Sequence, residues 1–222
     1  MPAATPPANA TAVIATLSSA RLSTYLTASS GDSAKALTLY AWNARLAAAL
    51  LVPAHFAEVA IRNTVDEALT SVYGTKWPWS TTFERSLPNP PRNGGYNPRQ
   101  DLISTRSRHA TTGKVIADLK FVFWQRMFTS RHDQRLWIPQ IATLLPNASA
   151  TASPGQLRKR IYDDLESVRE LRNRIAHHEP IFNRNLAADL ARLHDLVQLR
   201  CPDSSHWLRA IEDATTTLAA RP

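Results

Sequence analysis

The chain has 222 residues, of which 44% are hydrophobic and 20% charged. This length suits one domain with a sizeable core, and the apolar content is too high for a disordered protein. The formal net charge of +8 favours a polyanionic partner such as nucleic acid, although a basic solvated surface would give the same excess. Cys201 is the only cysteine, which excludes an internal disulfide and a CxxC metal knuckle and fits a reducing cytoplasm.

The beginning of the chain has the composition of a disordered leader. Residues 1–14 are rich in Ala, Pro and Thr, and we expect them to precede a single helical domain at 15–222. Arg21 is the first basic residue, so the positive start of a secretory signal is absent. The longest apolar run, near 46–54, contains Pro53 and is too short to span a bilayer. We therefore expect a cytoplasmic protein without a membrane partner.

The rest of the sequence predicts an all-α fold, because no sustained two-residue alternation is bounded by turn signals. The expected helices cover about 15–28, 34–51, 54–73, 98–109, 112–128, 132–145, 155–178, 186–199 and 204–219. Four aromatic residues are expected in the core: Phe121, Phe123, Trp124 and Trp137.

Two groups of residues outside the main motif could contact RNA. Residues 75–100 predict a long irregular loop, and its aromatic residues Trp77, Trp79 and Tyr96 are candidates for stacking on bases. Basic side chains either attract phosphates or form a solvated face. They are Arg92, Arg99, Arg106, Arg108 and the run Arg158-Lys159-Arg160.

The strongest chemical signal is the segment Glu170-Leu-Arg-Asn-Arg-Ile-Ala-His-His-Glu-Pro-Ile-Phe182. On a helix of about 100° per residue, Arg172, Asn173 and His177 lie within an arc of roughly 140°. They flank a core stripe made of Leu157, Ile161, Leu165, Val168, Leu171 and Ile175. Pro180 disfavours helical geometry at Glu179, so His177 is expected in the last turn, where free carbonyls stabilise a cationic imidazole.

These residue types suit phosphodiester chemistry without a metal. His177 could act as general acid or base, Arg172 could hold the phosphate, and Asn173 could donate a hydrogen bond. Alternatives remain open: Arg172 could brace the bundle by pairing with Glu58 or Asp66, and Asn173 could be a buried structural amide. His177, His178 and Glu179 could also bind a metal, although neighbouring helical side chains diverge.

A second cluster, Glu58, Arg62 and Asn63, falls on the predicted helix 54–73. Glu58 and Arg62 are four residues apart, a spacing that favours an ion pair on a helix surface. Such a pair beside an amide is usually scaffold, but the cluster could orient Arg172. His178 is interpreted as a supporting residue.

At these residues the chain resembles the Abi-like (abortive infection) branch of the HEPN superfamily. The HEPN signature, Arg, a polar residue, three variable residues and His, reads here Arg172-Asn-Arg-Ile-Ala-His177 and continues through His178 to Pro180-Ile-Phe182. The resemblance extends to Glu58–Asn63, Leu119–Trp124 and Leu136-Trp137, and covers most of the chain from about residue 38 to 200.

The resemblance implies an all-α HEPN-like bundle with additional packed helices. It implies a metal-independent endoribonuclease of phage defence or toxin type that needs no cofactor and leaves a 2′,3′-cyclic phosphate and a 5′-hydroxyl. The catalytic arginine and histidine map onto Arg172 and His177, and the polar second position onto Asn173. The implied partners are RNA and a second copy of the chain, with the site shared across a homodimer.

The chain departs from relatives in two places. Glu179 stands where many HEPN toxins paired with nucleotidyltransferase antitoxins carry a tyrosine, so antitoxin control by tyrosine modification is not expected. Val122 stands where relatives often have glycine. A non-catalytic HEPN module that binds RNA, a nucleotide or a protein is the alternative function.

Overall fold

A computed structural model describes residues 6–91 and 94–222 of the chain. Within those ranges every regular element is helical, which confirms the predicted all-α class. The α-helices are α1 (Ala10–Leu17), α2 (Ser19–Ala28), α3 (Ser33–Ala49), α4 (Leu51–Tyr73), α5 (Thr81–Ser86), α6 (Pro98–Arg106), α7 (Thr112–Asp118), α8 (Phe121–Met127), α9 (Ile138–Leu144), α10 (Pro154–Ala176), α11 (Leu186–Arg200), α12 (Pro202–Ile211) and α13 (Ala214–Ala219). Helix α4 is central and packs against α3, α8, α9, α10 and α11.

The N-terminal region is more helical than the sequence predicts. Residues 10–14, expected in the leader, begin α1, whose first turn is capped by the Asn9 side chain. The single helix predicted at 15–28 is interrupted at Ser18, which has a φ of 72° and caps α2 with its own hydroxyl. The interruption arises because a serine offers a hydrogen bond to the following turn in place of helical continuation. Residues 1–5 lie outside the described ranges.

The break between the helices predicted at about 34–51 and 54–73 does not fall at Pro53. Helix α3 ends at Ala49, and Pro53 lies in the first turn of α4, where its missing N–H would have no helical partner. By length and composition alone, the stretch Ser33–Tyr73 could cross a membrane, unlike the shorter run considered in the sequence. Of its apolar window, 39% is buried inside the fold, and core helices of soluble proteins pass the same test.

The predicted irregular loop at 75–100 contains a short 3₁₀ helix at Trp77–Trp79 and helix α5. Trp77 is fully buried, and its indole Nε1 donates to the Asp66 carboxylate at 2.6 Å. Its assignment as a base-stacking residue is therefore wrong: a carboxylate on α4 satisfies the indole and permits burial. Tyr96 is half-buried and donates to Asp101 at 2.7 Å, whereas Trp79 is 36% exposed.

The predicted aromatic core is confirmed. Phe123, Trp124 and Trp137 are fully buried, and Phe121 is 9% exposed. The helix expected over 112–128 is divided at Leu119 and Lys120 into α7 and α8, and a π-helical turn at Asp133–Trp137 precedes α9. Trp137 stacks on Phe128 with ring centroids 4.3 Å apart. The blocks that carry the resemblance around Leu119–Trp124 and Leu136-Trp137 are thus core elements.

Most of the basic side chains considered as phosphate contacts are already engaged. Arg158 pairs with Asp133, Lys159 with Asp163, and Arg160 with Asp164 and Asp195. Arg106 pairs with Glu84 and Arg108 with Asp118, while Arg99 donates to the carbonyls of Arg85 and Leu87. Arg92 lies outside the described residues. The run at 158–160 is therefore a network of ion pairs around α10 and not a free basic patch.

Acid should destabilise the fold through His132. Burial, reinforced by Arg131 and Arg135 and opposed by Asp133, lowers the pKa of His132 to about 4 from 6.5. The unfolded chain then binds more protons between those values, so stability falls as the pH drops through that window. We expect His132 to account for a loss of about 2–3 kcal/mol in the free energy of unfolding between pH 7 and pH 4.5.

Urea denaturation at the two pH values measures this loss. His132→Gln should reduce the difference in unfolding free energy between pH 7 and pH 4.5, while the same change at the exposed His206 leaves it unaltered. An equal acid sensitivity in wild type and His132→Gln would contradict the assignment.

Candidate functional site

The candidate site lies at the C-terminal end of α10. A capping box begins this helix: the Ser153 hydroxyl accepts from the backbone of Gln156, whose side chain accepts from the backbone of Ser153. The predicted apolar stripe is buried at five positions, Leu157, Ile161, Leu165, Val168 and Leu171. The sixth, Ile175, is half-buried. The stripe fixes which side chains of the last two turns face outward.

The helix ends at Ala176, with His177 as the capping residue, and not at His178. His178 has a left-handed φ of 54°; its N–H donates to Ile175 at 3.1 Å, and the N–H of Glu179 donates to Arg174 at 2.8 Å. This is the Schellman pattern of helix termination, here built on histidine in place of the usual glycine. The side chains of His178 and Glu179 therefore do not continue the helical spacing.

Side chains from two other helices hold the turn after α10. Arg21 of α2 donates to the carbonyl of His178 at 2.6 Å. Asn43 of α3 is buried, and its Oδ1 accepts from the backbone N–H groups of Ile181 at 2.9 Å and Phe182 at 3.0 Å. The segment Pro180–Phe182 is thus fixed to the core, which anchors the end of α10.

Removing the Asn43 amide should destabilise the protein. Asn43→Ala leaves two buried backbone donors without their acceptor, and we expect a loss of about 2–3 kcal/mol in the free energy of unfolding. The exposed Asn173 offers a matched control, since Asn173→Ala should change stability by less than about 0.5 kcal/mol. Urea denaturation of both variants measures this, and equal stabilities would refute the anchoring role.

Arg172 is held in a defined position at the edge of the buried stripe. Its Nη2 lies 2.9 Å from Oε2 of Glu58, and its Cζ lies 4.9 Å from the ring centroid of Phe121. The Arg172 side chain remains 34% exposed, whereas that of Glu58 is 12% exposed. The guanidinium is therefore both a brace between α10 and α4 and a positioned cation with a solvent-facing side.

Glu58 serves two arginines at once. Its Oε1 pairs with Arg62 of the same helix, as the i, i+4 spacing predicts. Arg62 also donates to the carbonyls of Ile116 at 3.3 Å and Ala117 at 3.1 Å, and lies over the Trp124 ring at 5.9 Å. Asp66, the other proposed partner of Arg172, instead accepts from Trp77. One carboxylate thus connects α10, α4 and the α7–α8 region.

Asn173 and His177 face solvent. Both side chains are exposed, so the interpretation of Asn173 as a buried structural amide is wrong. Among residues 6–91 and 94–222, neither side chain has a hydrogen-bonding or ionic partner. Arg172 and His177 are five residues apart, which on an α-helix is about 7.5 Å along the axis and about 140° around it. The arrangement places an ordered cation and an unengaged imidazole at the same end of one helix.

Of the remaining predicted site residues, Asn63 lies apart from this end of α10, whereas His178 lies in the turn that terminates it. Asn63 is on another face of α4, where it lines a cleft of 520 Å³ with His55 and Trp207. His178 contributes its backbone carbonyl to the bond with Arg21, and its side chain is exposed. No group of three His, Cys, Asp or Glu side chains in the described part of the chain could hold a metal ion, so the triplet His177-His178-Glu179 is not arranged as a metal site.

The chain was compared with protein families, curated proteins and solved structures. None of them matches it. The resemblance to Abi-like HEPN proteins therefore rests on the motif residues and stays a prediction.

The sequence analysis did not predict three contacts at this site. Phe121 lies against Arg172, Arg21 fixes the turn, and Asn43 accepts from the segment after Pro180. Each contact joins residues that are far apart in the chain, so periodicity could place them on helices but could not pair them. Phe121 and Ile181 lie in two segments that carry the resemblance, Leu119–Trp124 and Pro180-Ile-Phe182. The resemblance is therefore the only feature of the sequence that pointed to the segments making these contacts.

Proposed function

We propose that this protein is a metal-independent endoribonuclease of the Abi-like HEPN type, acting in phage defence or as a toxin. The observation that supports this most is the placement of Arg172. Glu58 and Phe121 hold its guanidinium while about a third of the side chain stays exposed, on the same helix end as the solvent-facing His177. A pre-positioned cation beside an accessible imidazole suits stabilisation of phosphate charge and proton transfer.

In the proposed reaction the ribose 2′-oxygen attacks the adjacent phosphorus. The O2′–P bond forms and the P–O5′ bond breaks, which leaves a 2′,3′-cyclic phosphate and a 5′-hydroxyl. A histidine accepts the 2′-hydroxyl proton, a second proton donor protonates the departing 5′-oxygen, and Arg172 offsets the charge that develops on the non-bridging oxygens. Asn173 donates a hydrogen bond to the same phosphate.

Two proton-transfer roles favour a site shared by two copies of the chain, so that each supplies one His177. We propose a cytoplasmic homodimer that acts on RNA and is restrained by an antitoxin or another inhibitor.

The ion pair between Arg172 and Glu58 also favours a second function. A guanidinium already neutralised by a carboxylate has less charge to offer a transition state, and it could instead contribute to recognition. On this alternative the protein is a HEPN module that binds RNA, a nucleotide or a protein without cleaving it.

Cleavage of RNA in EDTA tests the proposal. Purified full-length protein should cut RNA in the presence of the chelator, and end mapping should find cyclic phosphates and 5′-hydroxyls. Analytical ultracentrifugation of the same sample should show a dimer. Binding of RNA without any cleavage at dimer-forming concentrations would favour the non-catalytic module.

A further inference from the structure

A cleft of 460 Å³ opens beside Arg172. Helices α2, α3 and α10, the first residue of α4 and the turn after α10 form its walls. It shares no lining residue with the cleft that contains Asn63. Its volume lies within the range of about 300–1,000 Å³ that is typical of small-molecule pockets. The cleft is large enough to receive a group attached to whatever Arg172 binds.

Two tyrosines and three alanines line the cleft. The rings of Tyr25 and Tyr40 meet edge to face with centroids 5.2 Å apart. Tyr25 is buried, and burial together with Tyr40 raises its pKa to about 12, so its phenol is neutral. Helix α3 contributes Tyr40 and Asn43 and also three alanines, Ala44, Ala47 and Ala48, whose methyl groups leave room for a planar group.

The cleft also contains a fixed amide. Asn43 is 6% exposed, and its Oδ1 is committed to the backbone of Ile181 and Phe182. Only the Nδ2 hydrogens of this side chain can therefore serve a ligand, which makes Asn43 a donor of fixed orientation. Glu179 at the rim is exposed and offers an acceptor. A ligand with both acceptor and donor groups on one edge complements this pair.

Arg172 belongs to the lining of the cleft, and His177 lies outside it on the same helix end. Viewed along α10 at about 100° per residue, Ile175 and Ala176 of the cleft wall lie about 60° to one side of Arg172 and about 40° to the other. His177 lies about 140° away, beyond Asn173. A phosphate held by Arg172 would thus lie at the cleft, with the imidazole farther round the helix on the side of Asn173.

We infer that this cleft binds a nucleobase of the RNA strand, next to the phosphate that Arg172 holds. The inference rests on the proposed action on RNA and adds a specificity site to it. Single-stranded RNA is recognised through unstacked bases that lie on planar or aromatic walls and hydrogen-bond by their edges. The three alanines, the tyrosines and the Asn43 donor supply those two kinds of contact, and they select for a base rather than for backbone charge.

The test measures binding apart from cleavage. In a His177→Ala background, fluorescence anisotropy gives the affinities of labelled rA, rC, rG and rU hexamers and of a hexamer whose riboses lack bases. Ala48 is exposed in the cleft, and Ala48→Phe fills it. Ala34 is exposed in the first turn of the same helix, outside the cleft, and Ala34→Phe is the matched control.

The best base-containing hexamer should bind about tenfold or more tightly than the abasic one, the size expected of one stacked base. Ala48→Phe should reduce that ratio to about twofold or less, without changing the abasic affinity, which also shows that the variant is folded. Ala34→Phe should keep the full ratio. Equal binding of abasic and base-containing hexamers, no binding of any hexamer, or an unchanged ratio in Ala48→Phe would overturn the inference.

The nuclease proposal and the base pocket can fail separately. If wild-type protein does not cut RNA but base-dependent binding is lost in Ala48→Phe, the pocket stands and the nuclease assignment fails. If RNA is cut while abasic and base-containing hexamers bind alike, the nuclease assignment stands and the pocket fails.

Discussion

Replacing His177 with alanine is expected to abolish RNA cleavage while leaving the fold intact. The imidazole is exposed and caps the end of α10 through its backbone only, so its removal creates no cavity. Loss of a general acid or base typically lowers the rate by about 10²–10⁴-fold. Gel-based turnover of a defined RNA in EDTA, with circular dichroism of the same samples, measures both effects.

The chain supplies controls for this experiment. His206→Ala removes another exposed histidine, on α12, and should retain wild-type turnover. His178→Ala keeps the neighbouring backbone and removes a side chain with no assigned proton transfer, so its effect should be well below that of His177→Ala. Turnover of His177→Ala within threefold of wild type would remove the histidine from the mechanism.

Arg172→Ala is expected to lower turnover by about 10²–10³-fold, the cost of losing one charge-stabilising donor. Arg172→Lys should recover little of this, because an ammonium cannot make the paired contacts of a guanidinium or stack as well on Phe121. Single-turnover cleavage and RNA affinity should be measured for both variants. Full activity of Arg172→Lys would show that a simple positive charge suffices.

Substitution of Glu58 tests whether this residue positions Arg172 for catalysis or only stabilises the packing of α10 on α4. Glu58→Gln keeps the shape but removes the charge that holds Arg172, and we expect kcat to fall about tenfold while KM changes by less than about twofold. Glu67→Gln is the matched control, since Glu67 lies on the same helix and pairs with Arg200 in a more exposed bridge whose contribution is small. A purely structural Glu58 would change the unfolding midpoint and leave kcat unaltered.

The sequence predicted the class of fold and the helix that carries the site, because both depend on local patterns. The buried stripe of α10 and the stop near Pro180 follow from periodicity and from the geometry before proline. Contacts between distant segments could not be predicted in this way. Trp77 shows why: turn-forming neighbours predict a surface loop, yet a single carboxylate at Asp66 makes burial of the indole favourable.

Boundaries at Ser18 and Pro53 also differ from prediction, since each residue allows two outcomes. A serine can continue a helix or cap the next one, and a proline can end a helix or begin one. Tertiary packing decides between them. For the site, the sequence named Arg172, Glu58 and His177 but did not predict that Glu58 holds two arginines, because one carboxylate has many arginines within reach of a plausible helix arrangement.

The shared carboxylate of Glu58 couples Arg172 at the site to Arg62 at the core. Because Glu58 pairs with both Arg172 and Arg62, an anion that competes for Arg172 is expected to weaken the first pair and strengthen the second. Arg62 lies over the indole of Trp124, which is fully buried. Binding of an anion at Arg172 should therefore change the environment of a tryptophan in the core that the anion does not contact.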